Sequence, residues 1–540
     1  MDTKEILKFC IEKGFLLDKD VLELFSGTND IDAETSKLII EGIGQFTQKR
    51  VITRSVFDDN KDKLDQILLN LPEENQRQAE KLKIKLGLSI EISREIIKKD
   101  VDVEKINKVE KEMVYETTSV DENKNTGVKI MSENQILSKK LEVSDFVRYF
   151  RNRFFEMSNI LRERAELENL ISINKISGNS NGISLIGIVS SKRITKNKNM
   201  LIELEDLTGK IVVLINVNKP DLFKKAEEIA LDSVIAVKGS GSREIVFVND
   251  IFFLDSRLQE RKKSPVEEYV LFIGDLHFGS KRFLEKSFLR FIDYLNGEVE
   301  NTPEVEKIKY LFLVGDVVTG VGNYPNQEVD LKVVDLEEQF IGLAELLKKI
   351  RKDIKIIISP GNHDGVRLME PQPYLDEKYA WPLYDLNNII LTGNPCQVNI
   401  GAKKSKGVDF PGFNVLTYHG FSFTFYANNI SMLMLKKAMN SPEDIMKYLL
   451  QNRHLAPTHS SVQYSPLEKD PLLIRTVPDI FVSGHTHKSA VSYYNNILII
   501  SISCWEAMTP YQEKFGNEPD HCKVPMFNLK TREVKILDFE

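Results

Sequence analysis

The chain has 540 residues, enough for two to four domains, and with 42% hydrophobic and 28% charged residues it can build more than one core. Its net charge of −7 argues against a free-standing DNA binder, leaving room only for a local basic groove or a partner that supplies the grip. Four cysteines without CxxC spacing exclude a disulfide framework and a zinc ribbon; with no leader-type segment and no run of about 18 apolar residues, a soluble, cytoplasmic, reduced protein with no membrane partner is expected.

Residues 1–75 carry helical periodicity, and Asp32 reads as an N-cap before the run from Ser36 to Gly44. The run Val51–Phe57 and the stretch Leu64–Leu71 complete an expected small helical bundle, a docking module or a structural appendage. Residues 76–140 change character: Tyr115 is their one aromatic residue, and Lys, Glu, Asp, Asn and Ser dominate. Such a stretch buries too little apolar area to offset its ordering entropy, so a flexible charged linker is expected. Residues 141–167 form a helix leading into the next domain. Phe146, Tyr149, Phe150 and Phe154 make an aromatic stripe at helical spacing. Arg148, Arg151 and Arg153 interleave it, either as a nucleic-acid or partner contact or as solvated side chains of a packed helix.

Residues 168–257 read as short strands around Ile183–Val189, Met200–Asp206, Lys210–Ile215, Val234–Gly239 and Ile245–Val248, with a helix from Asp221 to Ala230 between the third and fourth. That order is an OB barrel's. Its basic turn, Ser191–Lys198, either touches a phosphate backbone or is solvated. After a polar joint to Pro265, residues 266–540 alternate strands and helices and end in strands. The expected fold class is therefore multidomain α+β: helical bundle, OB-fold β-barrel, and a layered α/β domain whose sites lie at the carboxyl ends of its strands.

Five apolar strands of that last domain end in metal-binding residue types. Tyr269–Ile273 leads through Gly274 to Asp275 and His277. If the backbone stays extended there, the two side chains share one side. Tyr310–Gly315 leads to Asp316, and Ile354–Gly361 to Asn362, His363 and Asp364. Asn414–Tyr418 leads to His419, and Asp479–Gly484 to His485 and His487. A lone DxH or HxH is weak evidence. Five of the eight histidines at these strand ends, with Asp275, Asp316, Asn362 and Asp364, are however an O/N donor set of the kind that binds divalent metal.

The order DxH, GD, GNHD, H, GHxH resembles the calcineurin-like metallophosphoesterases, an αββα sandwich family, and within it the double-strand-break-repair nucleases. The resemblance implies that Asp275, His277 and His487 hold one metal ion, that Asn362, His419 and His485 hold a second, and that Asp316 bridges them. It implies that His363 protonates the leaving oxygen or stabilises the transition state, and that Asp364 orients it. Mixed N/O ligation favours Mn or Fe, with Mg, Zn or Ni possible. Many members carry an acid where Thr319 stands, and protein phosphatases read GDxxDRG. The missing arginine argues against a protein phosphatase.

The stretches Gly315–Pro325, Pro360–Arg367 with Glu370–Pro373, and Arg453–Thr458 narrow the resemblance to the small subunits of archaeal D-family DNA polymerases. This implies a 3′–5′ proofreading exonuclease, nucleoid-associated, with a large polymerase subunit and single-stranded or primer-template DNA as partners. Arg367, Arg453 and His454 are candidates for contacts to the scissile strand's phosphates or for structural roles. A catalytically silent scaffold subunit and a metallophosphatase are the alternatives.

Overall fold

The computed structural model describes residues 3–18, 21, 36, 37, 39–42, 51, 52, 127–132, 141–178, 180–405 and 408–540. The chain divides into two compact units, residues 1–116 and 117–540. In the first, the helix Thr3–Lys13 precedes a short parallel pairing of Leu16–Leu17 with Val51–Ile52. Val51 and Ile52 thus lie in a strand rather than the expected helix, in keeping with β-branched side chains that are stiff in helices and fit a pleat. Residue 21 and, within the expected run from Ser36 to Gly44, residues 36, 37 and 39–42 are helical; the rest of the expected helices of 1–75 lies outside the described residues.

The second unit contains two six-stranded sheets face to face. One runs Ile389–Leu391, Lys355–Ser359, Ile308–Val314, Tyr269–Ile273, Lys523–Asn528, Val534–Asp538; its first four strands are parallel and its last two antiparallel additions. The other runs Ala490–Tyr494, Ile497–Ser501, Ile480–Ser483, Phe413–Tyr418, Cys396–Ile400, Val128–Ile130. The strand period of two sorts their side chains. Val270, Phe272, Tyr310, Phe312 and Ile357 face the second sheet's Val398, Val415, Val482 and Ile500. Leu271, Ile273, Leu311, Leu313, Ile356 and Ile358 face outward into a core shared with the helices Glu285–Leu295 and Leu336–Leu347. Helices Phe423–Asn429 and Pro442–Asn452 cover the second sheet's other side. Strands buried on both faces read as continuous apolar runs, which is why these were visible in the sequence.

The edge strand Val128–Ile130 falls inside the stretch expected to be a flexible linker. It pairs antiparallel with Cys396–Ile400, and Val128 and Ile130 pack against the inter-sheet core. Two β-branched residues at period two suffice to complete an existing edge, although the surrounding composition is polar. Apart from 127–132, the residues of 76–140 fall outside the described set.

Residues 180–252 form a closed five-stranded barrel in the order Ser180–Ile194, Met200–Asp206, Gly209–Ile215, Ile245–Phe252, Val234–Gly241. Of the expected basic turn, Ser191–Ile194 instead continue the first strand, where Lys192, partly buried, donates through Nζ to the carbonyls of Glu227 and Ile229 at 2.7 and 3.0 Å, at the end of the helix Pro220–Glu227. The helix Val143–Arg162 is docked as well. Arg153 is fully buried, donating through Nε to Asp470 Oδ2 at 2.6 Å and through Nη1 to Pro457 O at 2.6 Å. The expectation of solvated arginines along this helix therefore fails for Arg153.

Candidate metal centre

The loops after five strands meet and are stitched by backbone bonds. Asp275 N donates to Gly315 O, His277 N to Asp316 O, Gly315 N to Ser359 O, and Gly484 N to His419 O, all at 2.9–3.0 Å. The sequence suggested extended backbone at Asp275 and His277. Instead Asp275, His277, Asp316, His485 and His487 all adopt left-handed φ, between 45° and 69°. Each costs about 1 kcal/mol or more for a non-glycine residue and persists only where the surroundings impose it. The tight turns aim side chains from different strands at one point. Gly361 allows this packing, because a Cβ there would overlap the Asp316 carboxylate. Gly315, itself at φ +79°, would likewise overlap the His419 ring.

Three overlapping groups result, each with donor atoms within 4.8 Å of one another: Asp275 with His277 and His487; His277 with Asp316 and His363; Asp316 with His419 and His485. Asp316 Oδ2 lies 3.2 Å from His419 Nε2 and 3.9 Å from His277 Nε2. Asn362 Oδ1 joins at 3.0 Å from His419 Nε2. Asp275 accepts His485 N on both oxygens, at 3.2 and 3.0 Å. Asp316 Oδ1 accepts His363 N at 2.7 Å.

Burial and crowding set the electrostatics. Burial pushes the Asp275 carboxyl well up, reinforced by Asp316 against the pull of His419. Burial also pushes on Asp316, but His419, His363 and His277 outweigh it and hold that carboxyl well below its ordinary value. Burial and neighbouring histidines press His277 and His485 down to about 3 and His487 well below its usual range. His419 is the exception. Burial lowers it, yet Asp316 beside it raises it to about 9.

The donor set fits divalent cations. His419 Nδ1 points at Val314 O, 3.4 Å away, which as a carbonyl can only accept a proton. Held charged in the absence of metal, the ring turns its Nε2–H toward Asp316 Oδ2 and Asn362 Oδ1; a cation between these oxygens would take that proton's place. His277 Nε2 and His487 Nε2 likewise face each other at 3.2 Å. Gln512 Nε2 stands 2.9 Å from His487 Nδ1. The Oε1 of the same amide accepts Thr509 N at 2.9 Å, so its NH2 is the end that faces His487.

The remaining candidates are placed differently. Asp364 does not touch the His363 ring: its oxygens accept Val318 N at 2.9 Å and Gly361 N at 2.7 Å, so it ties two loops together. Burial and Asp316 raise it to about 7. His363 is held by groups the sequence reading did not assign to it, Thr319 O at 2.9 Å and Asn323 at 3.2 Å. Thr319 was visible as the residue standing where relatives carry an acid; Asn323 lies in the stretch Gly315–Pro325 that carries the resemblance, which gave it no role. His454 is fully buried, with Nε2 on Asp470 at 2.8 Å and Nδ1 accepting Ala456 N at 3.1 Å, so it has no nitrogen left for a phosphate. Arg453 is buried onto the carbonyls of Ile474 and Arg475. Arg367, half-buried, donates to Pro371 O at 2.7 Å through Nη2.

Residues 269–489 match the calcineurin-like phosphoesterase family, so the domain that holds this centre is of that class. The DNA polymerase II small subunit of Methanothermobacter thermautotrophicus is 36% identical over 405 residues, which cover 74% of this chain and 80% of that one. That of Pyrococcus furiosus is 36% identical over 407 residues, 74% of this chain and 64% of that one, so this match spans just under two thirds of the Pyrococcus protein. The chain belongs to the family of archaeal DNA polymerase II small subunits. A solved archaeal phosphodiesterase overlaps 50% of this chain and 98% of its own at 13% identity with a TM-score of 0.25, too slight to add to the argument. No helix among the described residues is long and apolar enough to cross a membrane.

Proposed function

We propose that this chain is a metal-dependent phosphodiesterase that removes nucleotides from DNA 3′ ends, as the proofreading small subunit of a replicative D-family polymerase whose large subunit is its partner. The observation that carries the reading is the chain of overlapping buried donor groups with Asp316 in the middle. Asp275, His277 and His487 would hold one cation, Asn362, His419 and His485 a second, with Asp316 shared. Two such cations, Mn or Fe by donor type, supply Lewis acidity to a phosphodiester and a nucleophile from water near neutral pH. The chain's residues do the rest. Buried walls exclude bulk water, the left-handed turns fix the donors before substrate arrives, and His363 delivers a proton to the departing oxygen. We read the five-stranded barrel as an OB fold, and residues 1–75 as a docking module.

The test is metal analysis joined to product mapping on 3′- and 5′-labelled DNA with a mismatched primer end. Two ions per chain and mononucleotides released from the 3′ end are expected with Mn. Preferential turnover of a phosphopeptide would turn the reading to a phosphatase. Binding of the large subunit without any hydrolysis would turn it to a scaffold.

A further inference from the structure

The loop after Asp316 is locked far more tightly than a surface loop needs to be. Thr319 is tied at three points: its N donates to Phe278 O at 2.8 Å, its Oγ1 to His277 O at 2.7 Å, and its carbonyl receives Asn323 Nδ2 at 2.9 Å and Gln327 Nε2 at 3.1 Å. Gln327 Oε1 in turn accepts Asn323 N at 2.8 Å. A second buried glutamine, Gln339, accepts Gly320 N at 2.9 Å and donates to Val333 O at 2.8 Å. All of this fixes one oxygen, Thr319 O, which lies 2.9 Å from His363 Nδ1. Asn323 Nδ2, a donor, stands 3.2 Å from the same nitrogen, but the shorter contact is to a carbonyl that cannot donate; Nδ1 keeps its proton on Thr319 O and Nε2 is the nitrogen left to the centre. The His363 ring stands edge-on to His277 at 4.9 Å.

We propose that Asn323 is a positioning residue for His363, acting through the Thr319 carbonyl that it orients. The inference rests on the phosphodiesterase reading above. In that hydrolysis a bond forms between a water oxygen and phosphorus, the P–O3′ bond breaks, and its electron pair stays on O3′. The imidazolium gives O3′ the proton from Nε2 while Nδ1–H stays on Thr319 O. The proton lost by the water passes to solvent, which later restores the ring. A carbonyl pinned by two amides does here what a carboxylate does in other histidine pairs: it selects the tautomer and the ring angle.

Asn323 is exposed, so its replacement leaves the core intact. The experiment compares the Mn-loaded chain with Asn323→Ala on two substrates. Single-stranded DNA has an alkoxide leaving group that needs a proton. Bis(p-nitrophenyl) phosphate has a phenolate that does not. We expect kcat on DNA to fall about 10–100-fold, and on the nitrophenyl ester by no more than about threefold. In parallel, 15N-histidine NMR of the metal-free chain, with the signal assigned by its loss in His363→Gln, should show the Nδ1–H tautomer in the wild type and a mixture in Asn323→Ala. Equal losses on both substrates, no loss on DNA, or an unchanged tautomer would overturn the proposal. A wild-type chain that hydrolyses the ester but not DNA would sink the exonuclease reading instead, with the tautomer measurement still deciding the role of Asn323.

Discussion

Two buried clusters in the second unit are built from the same residue types, histidine and aspartate, and behave oppositely. At Asp470 everything is answered from within. Its Oδ2 accepts Arg153 Nε at 2.6 Å and His454 Nε2 at 2.8 Å, and its Oδ1 accepts Leu472 N at 3.0 Å. Arg153 completes its own set on Pro457 O and on Tyr149 OH at 3.0 Å. A fixed guanidinium balances the carboxylate, and Arg153 with His454 holds Asp470 far below its ordinary range against the pull of burial. The candidate centre has no guanidinium of this kind: the positive charge beside Asp316 is the His419 ring, whose proton a metal ion would replace. Asp275, Asp316 and Asp364 are buried with His277, His419 and His487, His485 is partly exposed, and the Nε2 atoms of His277 and His487 face each other at 3.2 Å. Burial makes an unanswered polar group costly, so the first cluster reads as a joint of the fold and the second as a place kept for cations.

That contrast breaks most sharply at Asp316. Asp316→Ala should empty both cation positions, measured by elemental analysis after dialysis, and activity should fall by at least about four orders of magnitude. Retention of two ions would show that the shared carboxylate is not what holds them. His363→Ala should keep both ions and still lose about 100–1,000-fold in kcat on DNA. Loss of a cation in that variant would make His363 part of the donor set instead.

The histidine count explains how much of this was readable. Apolar strands that end in Asp, His or Asn announce both the sheets and the candidate donors, because side chains buried on both faces leave an unbroken signature. Backbone handedness left no trace: nothing in Asp275–Leu276–His277 says that both ends sit at left-handed φ, since that is imposed by neighbouring strand ends rather than by local propensity. Partners at long range were equally silent. Arg153 and Asp470 are 317 positions apart, so an arginine on an aromatic helix looked like a surface contact. Arg453 and His454 failed as phosphate ligands for the same reason, since the carbonyls and the carboxylate that occupy them come from the loop around 470–475. Val128–Ile130 was hidden because three residues cannot outweigh the polar composition of a 65-residue stretch, although an open sheet edge needs no more.

On the self-answered side, the expected effects are on stability rather than chemistry. Asp470→Ala leaves a buried guanidinium without its counter-ion and should cost about 3–5 kcal/mol in denaturant unfolding. The activity of the folded fraction should remain. An equal loss of turnover per folded molecule would mean that the two clusters are not separate devices.

The smallest effect comes from acid. Burial, aided by Arg153 against the pull of Asp470, holds His454 at about 4. An unfolded histidine titrates near about 6.5. Between those values the unfolded chain takes up a proton that the folded chain refuses. The stability His454 contributes is therefore complete above about pH 6.5 and drains away as pH falls toward 4, by about 3 kcal/mol in all. His277, His485 and His487 titrate in the same direction and His419 in the opposite one, so the quantity to measure is the difference between the wild type and His454→Gln, in chelator, from pH 7 to pH 4.5. The wild type should lose stability faster than the variant over that window. Parallel slopes would mean that His454 takes up its proton inside the folded chain. The Asp470 cluster would then be open to solvent protons, and the distinction between a sealed joint and a cation site would have to rest on metal content alone.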